Sequence, residues 1–265
     1  MDQAAQADAF AKLHAVGDPL LLPNAWDVGS AVAIAAAGAK AIATTSAGVA
    51  WSLGVPDGAG LGAERAAAAV ARITAAVNVP VSADIEAGYE DVAATVAAVL
   101  RAGAVGINIE DRILRELLDP AEQAGRLASA RAVGEAAGVP LWINARTDVF
   151  LAGSGRVDEA LSRAAVYAAA GADSLFVPGL ADLALIAELA AGPLPVAVMA
   201  GPGAPSVAEL AAAGAVRISL GSAIAQAAYA VAARAATELL TSGTYESTAD
   251  GIAYGTMNAA VAARP

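Results

Sequence analysis

Eight short apolar stretches alternate with alanine-rich stretches along the 265-residue chain, and this alternation restricts the fold more than any other feature. The apolar stretches have the length and composition of buried β-strands, whereas alanine favours helix. The strand candidates are PLLLPNA, AIATTS, VPVSADI, VGINIE, LWINAR, SLFVPG, PVAVMA and VRISLG. The helical stretches lie near residues 28–38, 62–77, 91–102, 121–137, 157–170, 181–191, 206–213 and 222–241.

This strict alternation predicts parallel strands joined by helices, and eight such units close most naturally into a (β/α)8 TIM barrel of α/β class. We expect a single domain over residues 1–265, with the barrel at about 18–241 and a C-terminal tail at 242–265. A doubly wound open sheet is the alternative. It is disfavoured because the first strand-to-helix turn reads PNAWDVGS and lacks a G-x-G-x-x-G phosphate loop.

Composition and charge exclude several functional classes. The net charge is −11 and the few basic residues are scattered, so nucleic acid is not an expected partner. The hydrophobic fraction is 58%, but no apolar stretch is long enough to span a membrane, and the segment MDQAAQADAFAKLH does not resemble a signal peptide. We therefore expect a cytoplasmic protein with no membrane partner.

Scarce side chains exclude several kinds of catalysis. Cysteine is absent, which rules out disulfides, thiolate metal sites and a cysteine nucleophile. Lys12 and Lys40 are the only lysines, and Lys40 precedes the second strand, at the wrong end of a barrel for a Schiff base. His14, the only histidine, is expected to be a surface or packing residue of an N-terminal helix, so a Ser-His-Asp triad is also disfavoured.

Two neighbouring strand candidates end in acidic residues, at the barrel end where catalytic groups are expected. Asp84 and Glu86 follow the third strand, and Glu110 ends the fourth. Three carboxylates at one mouth repel one another unless a cation or protons compensate them. Oxygen ligands of this kind suit Mg²⁺ or Mn²⁺ and do not suit zinc. The alternative is that these acids cap helices or pair with arginines.

Arg146 ends the fifth strand candidate, in the sequence WINAR. A guanidinium at this position could hold a substrate carboxylate or phosphate with two parallel hydrogen bonds. It could equally serve only to neutralise Glu110 or Asp148, and the pattern does not choose between the two roles.

Five motifs, PNAWDVGSA, TTSAGVAWSLGVPDG, ADIEAGYED, INIEDR and NARTD, together resemble the isocitrate lyase and phosphoenolpyruvate mutase superfamily from about residue 20 to about residue 240. The resemblance implies an α/β barrel, Mg²⁺ dependence and chemistry on small 2-oxo or 2-hydroxy acids through an enolate. It also implies a homo-oligomer, a dimer or tetramer, in which the last barrel helix is swapped between subunits.

The resemblance also implies roles for individual residues. Asp84 matches the principal Mg²⁺ ligand, Glu86 and Glu110 match acids that act through water, and Asp57 matches the acid that helps to hold those waters. Arg146 matches the arginine that binds substrate oxygens. Ser46 and the backbone amides of Ala47 and Gly48 match the cradle that binds the substrate carboxylate. Trp26 matches a wall of the pocket.

The chain departs from the superfamily pattern after the fourth strand, where members usually carry a mobile lid over the active site. Lyases of the superfamily usually carry K-K/R-C-G-H after the fourth strand, whereas this chain has DRILRELLDPAEQAGR, whose Arg112, Arg115 and Glu116 we expect on a helix face. The end of the sixth strand, FVPG, also lacks the glutamate or histidine that several members use at the far end of the substrate.

The expected function is therefore a C–C bond lyase or decarboxylase acting on a small 2-oxo or 2-hydroxy acid. The alternatives are phosphonopyruvate or phosphoenolpyruvate mutase or hydrolase chemistry at a P–C bond, and a non-catalytic protein that binds 2-oxo acids with Mg²⁺.

Overall fold

A computed structural model of the chain describes residues 2–153 and 155–263. Its strands are β1 (Leu20–Leu22), β2 (Asn24–Ala25), β3 (Ile42–Thr44), β4 (Val81–Asp84), β5 (Gly106–Glu110), β6 (Arg112–Ile113), β7 (Glu116–Leu117), β8 (Trp142–Arg146), β9 (Ser174–Phe176), β10 (Val196–Met199) and β11 (Ala215–Ser219). Its α-helices are α1 (Gln3–Lys12), α2 (Val28–Ala36), α3 (Ser46–Ser52), α4 (Ala63–Thr74), α5 (Val92–Arg101), α6 (Pro120–Ala136), α7 (Val157–Ala169), α8 (Leu183–Ala190), α9 (Val207–Ala212), α10 (Ala223–Ser242) and α11 (Tyr254–Ala262).

Nine of these strands form one parallel sheet, which closes at Pro23. The sheet runs in the order β1, β11, β10, β9, β8, β5, β4, β3, β2, so its first and last members are adjacent in the sequence. Pro23 has no N–H group to donate and splits one continuous stretch into β1, which pairs with β11, and β2, which pairs with β3. The predicted (β/α)8 barrel is confirmed, and the doubly wound alternative is wrong.

The helix boundaries follow local sequence signals. Asp27, Asp91 and Ser206 accept hydrogen bonds from amides in the first turns of α2, α5 and α9. Glycines with a positive φ follow the ends of α2, α5, α6, α7 and α9, and they are Gly38, Gly103, Gly138, Gly171 and Gly214.

Helix α1 covers the N-terminal end of the barrel. Phe10 is completely buried, and Gly106 in β5 makes room for it, because a Cβ at Gly106 would lie 2.8 Å from Phe10 Cε1. His14 stacks on Trp142 with a ring separation of 4.0 Å, so of the surface and packing roles expected for it the packing role holds. The opposite, C-terminal end of the barrel is therefore the open one.

Helix α10 contacts little of its own barrel. Within the described residues only Ala225 of this helix is buried, and Tyr229 reaches Trp26 and Trp51 near the barrel mouth. The outer face of β1, where an eighth helix would ordinarily pack, instead borders a cavity of about 570 Å³. Its apolar lining includes Leu20, Leu21, Ile34, Val207 and Ile224.

None of the helices in the described ranges is both long enough and apolar enough to cross a membrane.

Candidate active site

Backbone and side-chain hydrogen bonds bring the predicted acids together at the mouth of the barrel. The Asp84 amide, at the end of β4, donates to Thr44 Oγ1 at 2.8 Å, and the Glu86 amide donates to Asp84 Oδ1 at 3.0 Å. The Glu110 amide, at the end of β5, donates to the Glu86 carbonyl at 2.9 Å. Glu86 has a φ of 51°, a conformation that non-glycine residues rarely adopt and that often marks a functional site.

Burial makes the charged form of these acids unfavourable. Desolvation is the largest effect on all three carboxyls: it raises the pKa of Asp84 and of Glu86, and it raises the pKa of Glu110 to about 8. The Arg146 charge opposes this shift at each of the three groups. The single charge of Arg146 does not by itself offset three ionised acids.

The donor set fits a hard cation held partly through water. Glu86 Oε1 is buried and has no hydrogen-bond partner in the described part of the chain. Across residues 2–153 and 155–263, no three His, Asp or Glu side chains are close enough to form a direct ligand cluster. An oxygen set with few direct protein ligands is the arrangement that Mg²⁺ tolerates, since it usually keeps several waters.

Arg146 is anchored by the acids around it. Its Nη1 lies 2.9 Å from Glu110 Oε2, and its Nε and Nη2 donate to the two carboxylate oxygens of Asp148 at 2.6 and 3.0 Å. These contacts use three of the five N–H groups of a guanidinium, so two remain for a ligand. Arg146 therefore neutralises Glu110 and Asp148, and it still has N–H groups with which to bind a ligand.

Asp148 is in turn fixed by a buried network that sequence reasoning did not identify. Its amide donates to Asp111 Oδ1 at 2.9 Å. The other Asp111 oxygen accepts hydrogen bonds from Tyr167 at 2.7 Å and from Arg163 at 3.1 Å. This network fixes the backbone of Asp148, and the Asp148 carboxylate then holds Arg146 in one orientation through both of its oxygens.

Two cavities open at this end of the barrel. The inner cavity, of about 180 Å³, is lined by residues that include Thr44, Ser46, Ala47, Asp57, Ser82, Asp84, Asn108, Arg146, Arg217 and Ser219. The outer cavity, of about 460 Å³, is lined by Ser46, Asp57, Gly58, Glu86, Glu110, Arg112, Leu114, Arg115, Arg146 and Asp148. Ser46, Asp57 and Arg146 border both cavities, so they lie at the passage from solvent to the barrel interior.

Two of the predicted site residues do not border either cavity. Trp26 lies behind Gly48, where a Cβ added to that glycine would be 2.8 Å from the Trp26 Cβ. The Gly48 amide is used as a helix cap, since it donates to Thr45 Oγ1 at 3.5 Å. Both residues therefore support the turn that carries Ser46 and Ala47.

The lid region forms a hairpin, so the expectation of a helix face was wrong. Strand β6 pairs with β7 in antiparallel fashion through a turn at Leu114 and Arg115. Both turn residues have a positive φ, 49° and 74°, which is the backbone of the tight turn that two-residue hairpins require. The hairpin places Arg112, Leu114 and Arg115 on the outer cavity.

Arg217 is a cavity residue that the strand-end analysis overlooked. It lies within β11, two residues before Ser219, and only 3% of it is exposed. A signal was present, because a charged residue in the middle of the apolar stretch VRISLG requires a partner. Arg217 lies one layer deeper in the barrel than the strand ends, where catalytic groups are expected.

Comparisons with known proteins agree with this architecture. The family described as phosphoenolpyruvate phosphomutase matches residues 10–240. An uncharacterized protein of Mycobacterium tuberculosis (strain ATCC 25618 / H37Rv) is 42% identical over 219 residues, which cover 81% of this chain and 82% of that protein. The 2-methylisocitrate lyase of Escherichia coli (strain K12) is 30% identical over 187 residues, covering 65% and 62% of the two chains.

A solved structure from Burkholderia cenocepacia J2315, described as a candidate phosphonomutase, is 44% identical, with a TM-score of 0.85 over 89% of this chain and 99% of that one. The match to the family extends over nearly the whole barrel and includes every strand of it. The chain therefore belongs to the isocitrate lyase and phosphoenolpyruvate mutase superfamily of enzymes.

Proposed function

We propose that this protein is a Mg²⁺- or Mn²⁺-dependent enzyme that cleaves a C–C bond in a small 2-oxo or 2-hydroxy carboxylic acid, as a lyase or a decarboxylase. The observation that carries the proposal is the cluster of Asp84, Glu86 and Glu110, three acids of raised pKa beside one anchored arginine. The inner cavity is small, at about 180 Å³, which suits an acid of a few carbons.

In this proposal Asp84 is the direct metal ligand, and Glu86, Glu110 and Asp57 hold metal-bound waters. The unpartnered Glu86 Oε1 supports that assignment, because a buried carboxylate oxygen without a hydrogen bond is costly. A bound divalent cation would supply Lewis-acid stabilisation of the negative charge that develops on the substrate's 2-oxo oxygen.

The substrate carboxylate is assigned to Arg146, Ser46 and Ala47. The two N–H groups that Arg146 has left can hold one carboxylate, and its contacts to Glu110 and Asp148 keep the guanidinium from turning away. The Ser46 hydroxyl and the Ala47 amide complete the cradle. The Ser46 amide lowers the pKa of Asp84, so the cradle and the metal ligand are neighbours.

We assign the source of the proton that completes the reaction to water or to the hairpin of β6 and β7. Burial, followed by the nearby Glu86 charge, raises the pKa of Tyr89, so it keeps its proton at neutral pH. Tyr89 also does not border the inner or the outer cavity, so it positions Glu86 and does not reach the substrate. Arg112 and Arg115 on the hairpin are the lid side chains that face the outer cavity.

The test is a panel of 2-oxo and 2-hydroxy acids incubated with Mg²⁺ and followed by NMR for products. Asp84→Ala should reduce turnover by at least about 100-fold, because it removes the direct ligand. Mg²⁺ should also raise the melting temperature of the wild type but not of Asp84→Ala. The matched control is Asp91→Ala, which removes a helix cap outside the site and should leave the Mg²⁺ response intact. Undiminished turnover in Asp84→Ala would contradict the proposal.

Mutase or hydrolase chemistry at a P–C bond is the second candidate. It is supported by the resemblance to the candidate phosphonomutase and by Asp57, which borders both cavities. Formation of phosphonopyruvate from phosphoenolpyruvate, or release of phosphate from phosphonopyruvate, would select this candidate. Mg²⁺-dependent binding without turnover across the whole panel would instead indicate a non-catalytic 2-oxo acid binding protein.

We also propose that the protein is a homo-oligomer in which α10 of a second copy covers the outer face of β1. Two features support this arrangement: α10 is largely exposed, and the cavity of about 570 Å³ beside β1 occupies the place of an eighth barrel helix. Leu21, on the wall of that cavity, is 50% exposed in the single chain.

A further inference from the structure

The floor of the inner cavity carries a positive charge that no described residue pairs with. Arg217 and Ser219 lie two residues apart on β11, so both side chains face the barrel interior, and both line the inner cavity. Arg217 is 3% exposed, and its Nη1 has no hydrogen-bond partner in the described part of the chain. Nor does it form an ion pair with any described residue.

Arg217 remains charged in this position. Burial lowers its pKa to about 10, and the charge of Asp84 acts in the opposite direction. At neutral pH the guanidinium is therefore protonated, although none of the residues that the structure describes compensates its charge by direct contact. An unpaired buried charge costs folding free energy, so its presence calls for a partner that the folded chain does not itself supply.

A second unpartnered polar atom lies in the same cavity. Ser82 Oγ is buried without a hydrogen bond in the described residues, and it lines the inner cavity together with Arg217. The interior of such barrels is normally filled by branched apolar side chains. Here Asn24, Ser82, Asn108 and Ser219 line the cavity, so the interior is polar below the mouth.

The distance between the two ends of the cavity fits a short molecule with two anionic groups. Ser82 precedes Asp84 by two residues on the same face of β4, which puts it about 6–7 Å deeper along the strand. An extended four-carbon diacid spans a similar length between its outermost oxygen atoms. One acidic end could therefore occupy the site at Asp84 and Arg146 while the other reaches the floor.

We propose that Arg217 and Ser82 form a distal subsite on the barrel floor that binds the second anionic group of the substrate, a carboxylate or a phosphonate. This inference rests on the proposed function, because that function supplies the first anchor at Arg146 and the metal. The subsite takes the place of the distal contact that other members make from the sixth strand, where this chain has FVPG.

The test compares acids that differ only at the far end. Binding of lactate, malate and phosphonolactate is measured by titration calorimetry with Mg²⁺ present. Wild-type protein should bind at least one of the two dianions about 10-fold or more tightly than lactate, the effect of one charge-assisted hydrogen bond. Whichever dianion shows the larger gain identifies the distal group. In Arg217→Met this preference should disappear, and in Arg217→Lys it should be partly retained.

Thermal unfolding separates a binding role from a structural one. Replacing an unpaired buried arginine by an apolar side chain should leave the melting temperature of Arg217→Met unchanged or raised. Arg163→Met is the matched control, because Arg163 is equally buried but is paired with Asp111 and hydrogen-bonded to Tyr167, so its loss should lower the melting temperature. If Arg217→Met unfolds as readily as Arg163→Met, Arg217 is structural and the subsite is overturned.

The remaining outcomes also distinguish the two proposals. Equal binding of all three acids by the wild type, or an unchanged preference in Arg217→Met, would overturn the subsite and leave the proposed function standing. Absence of Mg²⁺-dependent binding of lactate and of both dianions would overturn the proposed function and the subsite together.

Discussion

Arg146 shows how one residue can have both a structural and a ligand-binding role. Its contacts with Glu110 and Asp148 fix the guanidinium plane, and the network of Asp111, Arg163 and Tyr167 fixes Asp148. A lysine at this position would be a single flexible point charge and could not contact Glu110, both oxygens of Asp148 and a ligand simultaneously.

We therefore expect Arg146→Lys to raise KM by about 10-fold to 100-fold, measured by steady-state kinetics on whichever acid of the panel is turned over. Arg156→Lys is the control, since Arg156 pairs with Asp158 at the surface and should tolerate the change. A KM in Arg146→Lys equal to that of the wild type would mean that Arg146 only neutralises its acidic neighbours.

His14 is expected to make stability depend on pH. Burial, followed by the nearby Arg217 charge, lowers the pKa of His14 to about 3, so the folded protein keeps it neutral. Between about pH 6.5 and pH 3 the unfolded chain binds a proton there and the folded chain does not. The free energy of unfolding should therefore fall as the pH is lowered through that range.

The variant His14→Phe preserves an aromatic ring against Trp142 and cannot titrate. Denaturant unfolding at several pH values should give a wild-type slope steeper than that of the variant by at most about 1.4 kcal/mol per pH unit. Identical slopes would show that His14 is solvated and titrates normally in the folded state.

Helix α3 depends on close packing that only glycine allows. A Cβ at Gly48 would lie 2.7 Å from Thr45 Cγ2 and 2.8 Å from Trp26 Cβ, so alanine there must displace the turn that carries Ser46 and Ala47. We expect Gly48→Ala to cost about 1–3 kcal/mol of stability and to reduce turnover, measured by chemical unfolding and by the product assay.

Gly125→Ala in α6 is the matched control for that change. A Cβ there meets nothing within 4 Å, so the substitution should be neutral or should stabilise by up to about 1 kcal/mol through helix propensity. If both variants behave alike, the packing around Gly48 does not position the cradle.

At the scale of the whole molecule, the exposed α10 and the open face of β1 lead us to expect assembly. Light scattering after size-exclusion chromatography should give a mass at least twice the 25.8 kDa of one chain. Leu21→Glu places a charge in the cavity beside β1 and should shift the protein toward monomer, because burying an unpaired carboxylate is costly. Leu114→Glu, at the 90% exposed hairpin tip, should not. A monomeric wild type would contradict the proposed assembly.

The sequence by itself determined the barrel, because eight strand-like stretches alternating with helices leave few other ways to bury so much apolar surface. It also located Asp84, Glu86, Glu110 and Arg146 at one mouth, since the strand ends of a parallel barrel lie on one side.

Only the tertiary structure decided how these groups are arranged. Which N–H groups of Arg146 remain free, whether Gly48 caps a helix or meets a ligand, and whether Arg217 has a partner all depend on contacts between residues far apart in the sequence. The pattern along a strand gives the direction of a side chain but says nothing of which atoms from other strands reach it. For that reason the unpaired charge of Arg217 became visible only once the barrel had closed around it.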